Sequence, residues 1–105
     1  MVIAEIEELK NYFIKDLLPL KIYLFGSFAE GRENEDSDYD FYIVVRDYEK
    51  DMIELTAKAY RAIRHKNRRP VDIIVNTERT FEDRKTDVSS VESEVVRKGI
   101  LLYGI

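Results

Sequence analysis

Three aspartates, Asp38, Asp40 and Asp72, lie where the sequence is otherwise apolar and β-branched. Asp38 and Asp40 open the segment DYDFYIVV, and Asp72 lies within PVDIIV. Side chains alternate across a strand, so Asp38 and Asp40 share one face, with their Cα atoms about 6.6 Å apart. Two carboxylates about 4 Å apart repel by roughly 4 kcal/mol in an effective dielectric near 20, unless a cation lies between them. We therefore expect these side chains to bind a divalent metal ion.

Oxygen ligands alone are typical of a Mg²⁺ site, and protein-bound Mg²⁺ commonly carries substrate phosphates. A helix between the two strands would return the chain to a neighbouring position in the sheet, which would put Asp72 beside Asp38 and Asp40. Turn formation can explain Ser37 and Asp38 taken singly. It does not explain carboxylates inside strands, where Asp is depleted. Phosphoryl chemistry at three carboxylates is therefore predicted.

A Gly-Ser pair, Gly26 and Ser27, directly follows a strand-like segment. Its backbone amides and the Ser27 hydroxyl could hydrogen-bond phosphate oxygens at close approach, although a plain turn would also have this sequence. An ordinary P-loop is excluded, because Arg32 and Glu33 follow Gly31 where Lys and Ser or Thr are required. A dinucleotide fingerprint is excluded as well, since no G-x-G is present.

Strands that could position these residues are marked by short aromatic and β-branched runs between Gly, Pro and charged residues. Helices are indicated by apolar residues three and four apart, with Pro19 ending the first one. The segment TERTFEDRKTD is ambiguous between a helical turn and a loop. The predicted strands are residues 21–25, 39–45 and 71–76 and a short last strand at 100–103. The predicted helices are residues 3–17, a helix from an Asp47 cap to about Arg64, and a helix from a Ser89–Glu92 capping box to Gly99.

This order of elements predicts an α/β (α+β) fold with a mixed β-sheet of about four strands. The first two strands are joined by a loop, whereas a helix bridges the second and third and favours a parallel crossover. We expect the helices to pack on one side of the sheet.

The composition is that of an ordinary globular protein, with 105 residues, 45% hydrophobic and 36% charged. This length suits a single domain over residues 1–105. The beginning, MVIAEIEELK, has no basic segment followed by an apolar stretch, so neither a secretory signal nor a membrane span is expected, and a cytoplasmic location is predicted. The absence of cysteine excludes a thiolate metal site and a cysteine nucleophile.

The net charge of −4 argues against a general nucleic-acid binder. The basic segment HKNRR, residues 65–69, lies where a helix should end, and cations there complement the helix dipole. We interpret it as structural. His65 is the only histidine, so no second His or Cys could complete a zinc site.

The glycine, serine and aspartate pattern resembles the nucleotidyltransferase superfamily of the polymerase β type. That signature is a hydrophobic residue, Gly-Ser, about ten spacer residues, and Asp-hydrophobic-Asp-hydrophobic. In this chain the pattern is FGS at residues 25–27, a spacer at 28–37 and DYDF at 38–41, with Asp72 as the later third acid. The short length and the ending VVRKGILLYG resemble the minimal nucleotidyltransferase group, whose members commonly pair as antitoxins with a helical toxin, the HEPN domain.

The resemblance implies roles for individual residues. Gly26, Ser27 and Ser37 would bind the nucleotide. Asp38, Asp40 and Asp72 would be catalytic and would bind Mg²⁺, and Asp72 would also help to activate the acceptor hydroxyl.

One position departs from the family, because Glu30 stands where an Arg is frequent. An acid that points towards the triphosphate should weaken binding, and Arg32 is the residue that could compensate. The implied reaction is transfer of AMP from ATP to a hydroxyl of a protein partner, a HEPN toxin. The alternative is an antitoxin that neutralises its partner by binding alone. Action on RNA ends is disfavoured by the acidic charge. The base preference, the acceptor and self-association are left open.

Overall fold

The computed structural model describes residues 3–104 and contains four helices and four strands within them. Their order is α1, β1, β2, α2, β3, α3, α4, β4. The bounds are α1 Ile3–Leu17, β1 Lys21–Phe25, β2 Tyr39–Val45, α2 Met52–Ala62, β3 Val71–Thr77, α3 Glu78–Arg84, α4 Val91–Lys98 and β4 Ile100–Tyr103.

The four strands form one mixed sheet in the order β3-β2-β1-β4. β1 is antiparallel to both β2 and β4, and β2 is parallel to β3. The predicted mixed sheet is thus confirmed. Its topology follows from the connections, because a loop can reverse the chain between β1 and β2, whereas the parallel pair needs the longer crossover through α2.

One face of the sheet is covered by α1 and α2. The side chains of Tyr39, Phe41, Ile43 and Val45 alternate along β2 towards this face, and each of them is at most 1% exposed. They pack with apolar residues of both helices, including Phe13, whose ring lies edge-on to Phe41 at 5.1 Å. This face is the main core of the protein.

The opposite face is covered as well, by α3 and α4, so the expectation that helices lie on one side only is wrong. Tyr42 and Val44 point to this face and are fully buried, together with Phe81 of α3 and Val95 of α4. The physical reason lies in β2 itself, since apolar residues occupy both of its faces and each face needs a cover. The ambiguous segment provides that cover as the helix Glu78–Arg84.

Two helix caps lie elsewhere than predicted. Asp51, not Asp47, caps α2 by accepting a hydrogen bond from the backbone N–H of Glu54 at 2.9 Å. Asp47 instead accepts from the backbone N–H of Arg79 at 2.8 Å and so ties the end of β2 to the start of α3. At α4 the cap is Ser90 rather than its neighbour. Both segments hold several residues of cap-forming type, and sequence alone does not decide between adjacent ones.

Ser89, the residue before the Ser90 cap, donates hydrogen bonds to the Asp87 carboxylate through both its backbone N–H and its hydroxyl. The helix that was expected to reach Arg64 ends at Ala62. Within the part of the chain that the structure describes, no helix is long and apolar enough to cross a membrane.

Candidate functional site

Gly26 brings the backbone directly against the Asp40 carboxylate. Phe25, the last residue of β1, pairs with Asp40 across the antiparallel ladder, and Gly26 follows at a positive φ of 76°. A Cβ at this position would overlap the Oδ2 atom of Asp40. Only glycine therefore permits both this backbone conformation and this close approach.

A single turn follows at residues 26–31. The backbone N–H of Glu30 donates to the Gly26 carbonyl at 3.2 Å, and that of Arg32 donates to the Ser27 carbonyl at 2.9 Å. The half-buried Ser27 lies at the start of this turn. The segment after Gly26 is thus a turn, and contact of Gly26 and Ser27 with phosphate stays a prediction.

Asp40 and Asp72 are direct neighbours on adjacent strands. They are register partners in the parallel pair of β2 and β3, whose backbones lie about 4.8 Å apart. Asp40 is half-buried and Asp72 is exposed. Burial, followed by the charges of Asp72 and Asp38, raises the pKa of Asp40 to about 6, and Glu94 of α4 adds to this effect. The α2 crossover places Asp72 beside Asp40, as the sequence indicates.

Asp38 is half-buried and directly precedes β2, so it lies on the same side of the strand as Asp40. Within residues 3–104, no three acidic or histidine side chains form a group that could hold a metal ion. The donor chemistry of Asp38, Asp40 and Asp72 suits Mg²⁺, because all three offer only oxygen ligands. Burial and then the charges of Asp72 and Asp38 raise the pKa of Asp40, as expected where carboxylates lie close together. Their assignment as metal ligands stays a prediction.

Ser37 organises the loop that precedes Asp38. Its hydroxyl accepts a hydrogen bond from the backbone N–H of Asn34 at 2.9 Å, and its own N–H donates to the Asn34 carbonyl at 3.1 Å. These bonds define a local turn at the entrance to β2. A role of Ser37 in nucleotide binding stays a prediction.

Arg69 was interpreted from the sequence as part of a basic helix end, but the structure gives it a different role. Its guanidinium donates to the carbonyls of Asn34, Glu35 and Ser37 at 3.0, 3.1 and 3.2 Å. The same group lies over the ring of Phe28, 5.1 Å from its centroid. Arg69 thereby ties the loop before Asp38 to the chain entering β3. No spacing rule could reveal this contact, because it joins segments more than 30 residues apart.

Glu30, which was expected to disturb a phosphate site, is paired with Arg32. Its Oε2 accepts a hydrogen bond from the Arg32 guanidinium at 3.2 Å. That hydrogen bond lowers the pKa of Glu30, with a smaller contribution from the charge of Lys98. The carboxylate at the turn is therefore partly neutralised by the cation that was expected to compensate for it.

A cavity of about 570 Å³ lies at the other end of the sheet, and volume alone would place a ligand there. Its lining residues lie around the start of β1, just after β2, at the start of α3 and at the end of β4, which is the sheet end opposite the aspartates. Its lining comprises Pro19, Leu20, Lys21, Arg46, Glu78, Tyr103 and Gly104. We favour the Gly26 end, because only there do register-paired carboxylates meet a glycine turn.

Comparison with known families decides the class of the protein. The profile of the family "Polymerase beta, Nucleotidyltransferase" matches residues 7–105. The chain belongs to this nucleotidyltransferase family. Members of the superfamily typically use a divalent metal ion. A search of curated proteins found no match for this nucleotidyltransferase.

Several solved structures have the same fold. A candidate nucleotidyltransferase from Sulfolobus solfataricus is 23% identical with a TM-score of 0.66, and the match covers 96% of this chain and 78% of the other. A toxin-antitoxin complex with AMP-PNP is 26% identical with a TM-score of 0.58, covering 94% and 73%. The toxin-antitoxin MntA-HepT is 24% identical with a TM-score of 0.51, covering 94% and 70%. The chain thus shares the nucleotidyltransferase fold with these solved structures, two of which are of toxin-antitoxin complexes.

Proposed function

We propose that this nucleotidyltransferase transfers a nucleoside monophosphate, AMP from ATP, to a hydroxyl group of a protein partner. The observation that carries the proposal is the register pair of Asp40 and Asp72 against the Gly26 turn. Carboxylates on neighbouring strands beside a tight backbone turn are a suitable arrangement for holding a metal-bound triphosphate at its reacting phosphorus.

The reaction balances as an in-line displacement. The acceptor oxygen forms a bond to the α-phosphorus, the bond from that phosphorus to the bridging oxygen breaks, and pyrophosphate leaves with the electron pair. Asp72 is exposed at the beginning of an edge strand, where an acceptor side chain can approach it. We assign to Asp72 the acceptance of the hydroxyl proton, directly or through water. Gly26 and Ser27 would orient the phosphates through backbone N–H groups and a hydroxyl.

Asp38, Asp40 and Asp72 would hold Mg²⁺, which requires their side chains to come closer together than they lie among the described residues of this structure. The ion would supply positive charge at the attacking and leaving oxygens. The raised pKa of Asp40 supports this assignment, because it reflects burial and the neighbouring negative charges of Asp72 and Asp38.

The partner in this proposal is a HEPN-domain toxin, and the protein acts as its antitoxin. Support comes from the toxin-antitoxin complex with AMP-PNP, which is 26% identical to this chain over 94% of its length.

A second candidate function is an antitoxin that acts by binding alone, with weak or no catalysis. Glu30 beside the Gly26 turn favours it, because an acid at this place opposes triphosphate binding. The Asp40–Asp72 pair favours catalysis, since a binding surface has no use for two adjacent carboxylates whose charges oppose each other.

The test uses purified protein, Mg²⁺, α-labelled ATP and a lysate of the source cells, with an Asp38→Asn, Asp40→Asn double variant in parallel. We expect one labelled protein band that requires the intact aspartates. Absence of any band, while a helical partner co-purifies equally with both proteins, would leave the binding antitoxin as the function.

A further inference from the structure

An ion pair lies on the turn that follows the site glycine. The Glu30 carboxylate accepts a hydrogen bond from Arg32 at 3.2 Å, and the backbones of both residues bond the carbonyls of Gly26 and Ser27. Both side chains therefore start from the segment that is proposed to hold phosphate. The Arg32 side chain is 64% exposed, against 19% for Glu30, so the guanidinium faces solvent while the carboxylate lies closer to the protein.

A second cation, Lys98, is the last residue of α4, and the backbone that follows it lies beside the end of β1. Gly99 packs so closely on β1 that a Cβ would lie 3.0 Å from the Leu24 carbonyl, and Ile100 pairs with Leu24 across the sheet. The preceding residue, Lys98, is thereby held beside the end of β1, where the Gly26 turn begins. The charge of Lys98 contributes to the lowered pKa of Glu30, after the larger contribution from Arg32.

We propose that Arg32 and Lys98 bind the polyphosphate part of the nucleotide, and that Glu30 competes with the nucleotide for the Arg32 guanidinium. This inference rests on the proposed nucleotide site. Glu30 thus sets the affinity for the nucleotide by competing with it.

The competition is physically reasonable because ion pairs at the protein surface are weak. A polyphosphate carries several negative charges and can accept the paired N–H groups of a guanidinium in a bidentate manner. A single carboxylate carries only one negative charge for the guanidinium to bind. Displacing Glu30 from Arg32 therefore requires little free energy, whereas the phosphate contact that replaces it is stronger.

The test is a double-mutant cycle of Glu30→Gln and Arg32→Gln, with binding of Mg-ATP and of inorganic tripolyphosphate with Mg²⁺ measured by calorimetry. We expect Glu30→Gln to tighten both ligands by roughly two- to fivefold, the range set by an exposed ion pair. Arg32→Gln should weaken both, and adding Glu30→Gln to it should restore nothing. A gain that persists without Arg32 would mean that Glu30 simply repels phosphate, which would overturn the proposal.

Lys98→Gln is compared with Arg97→Gln, which removes the same charge from the neighbouring residue. The Arg97 side chain bonds the Ser93 hydroxyl at 3.1 Å and so is held along α4. We expect weaker tripolyphosphate binding for Lys98→Gln only, with thermal unfolding confirming that each variant is folded. Equal effects of both substitutions, or no effect of either, would remove Lys98 from the site.

These results can be separated from a failure of the proposed function. If the protein binds tripolyphosphate through Arg32 and Lys98 but transfers no label, the inference holds and the proposed transfer does not. If label is transferred and neither Arg32→Gln nor Lys98→Gln changes binding, only the inference fails. If neither ligand binds to the wild-type protein, both are wrong.

Discussion

Gly26 and Gly31 both adopt positive φ angles, 76° and 71°, but only Gly26 lies against another side chain. An alanine at either position should lower the free energy of unfolding by about 1–2 kcal/mol through backbone strain. Gly26→Ala should also push the Asp40 carboxylate away and weaken Mg-ATP binding by roughly tenfold or more, about 1.4 kcal/mol. Urea unfolding and calorimetry measure the two effects. Equal Mg-ATP affinity in both variants would show that the position of Asp40 does not matter for binding.

Asp40 should make the metal-free protein less stable as the pH rises. Its pKa is raised by burial and by neighbouring acids from 3.8 to about 6, so ionisation is harder in the folded than in the unfolded state. The stability from this group is complete below pH 3.8 and is lost as the pH passes 6. Asp40→Asn should therefore be more stable than the wild type at pH 7 in EDTA, by about 1 kcal/mol once solvent screening is considered.

Urea unfolding at several pH values measures this difference, with the exposed Asp36→Asn as the control. Mg²⁺ should stabilise the wild type and remove the advantage of Asp40→Asn. A constant difference between wild type and Asp40→Asn across pH 4 to 8 would contradict the assigned environment of this carboxyl.

Among the elements, the loop between β1 and β2 depends on Arg69 of another segment. Its guanidinium bonds three loop carbonyls through one nitrogen and lies over Phe28. Lysine keeps the charge but not the planar group, so Arg69→Lys should lower both stability and nucleotide transfer. Loss of charge-assisted hydrogen bonds suggests a cost of about 1.5–3 kcal/mol in the free energy of unfolding.

Arg68→Lys is the matched control, since Arg68 bonds Glu5 through its backbone N–H rather than its side chain. Chemical denaturation and label transfer are measured for both variants. If Arg69→Lys behaves like Arg68→Lys in both assays, the loop does not need the guanidinium.

The helices α3 and α4 are joined by a buried acid. Glu92 is 2% exposed and accepts hydrogen bonds from the Tyr42 hydroxyl at 2.6 Å and from Arg84 at 3.0 Å. Burial opposes ionisation, but these hydrogen bonds outweigh it and lower the pKa of Glu92 below 4.5. Glu92→Gln should therefore destabilise the protein at pH 7 by about 2 kcal/mol.

The stability contributed by Glu92 changes with pH in the opposite direction to that contributed by Asp40. The stability from Glu92 is complete above its usual pKa of 4.5 and is lost as the pH falls through the lower folded value. Unfolding of wild type and Glu92→Gln between pH 3 and 7 should thus show a difference that shrinks at the acid end, while the exposed Glu8→Gln shows none. A difference that grows towards low pH would refute the network.

The sequence predicts β1 and β2 at their observed bounds, because Pro, Gly and charged residues interrupt apolar runs at those points. It also predicts that Asp72 lies beside Asp40, since a helical crossover leaves few alternatives. The choice between adjacent caps, such as Asp47 and Asp51, depends on where tertiary contacts start the helix. Arg69 was missed because its partners are distant in sequence and are backbone carbonyls, which carry no sequence signal.

Across the whole molecule, the two ends of the mixed sheet differ in chemistry. Carboxylates, the glycine turn and the Glu30–Arg32 pair lie at one end, while the cavity lined by Lys21 and Arg46 lies at the other. The Gly26 end is held by two contacts, that of Arg69 with the loop before Asp38 and that of Gly99, at the end of α4, with Leu24 of β1. We therefore expect nucleotide binding to stabilise the whole domain, with Mg-ATP at 100 times its dissociation constant adding about 2.7 kcal/mol.

Thermal unfolding with and without Mg-ATP measures that gain. The Asp38→Asn, Asp40→Asn variant should show none of it, whereas Lys21→Gln at the opposite end should keep it. Stabilisation that survives loss of the aspartates but not of Lys21 would place the nucleotide in the cavity.

The most direct test of nucleotide transfer at this site compares α-labelled with γ-labelled ATP. Purified protein, Mg²⁺ and a co-purified partner are followed in a single turnover, with wild type and Asp72→Asn in parallel. The account predicts that the α label enters the partner, that the γ label is released as pyrophosphate, and that Asp72→Asn slows both. Incorporation of the γ label, or a stable complex in which neither label is transferred, would contradict it.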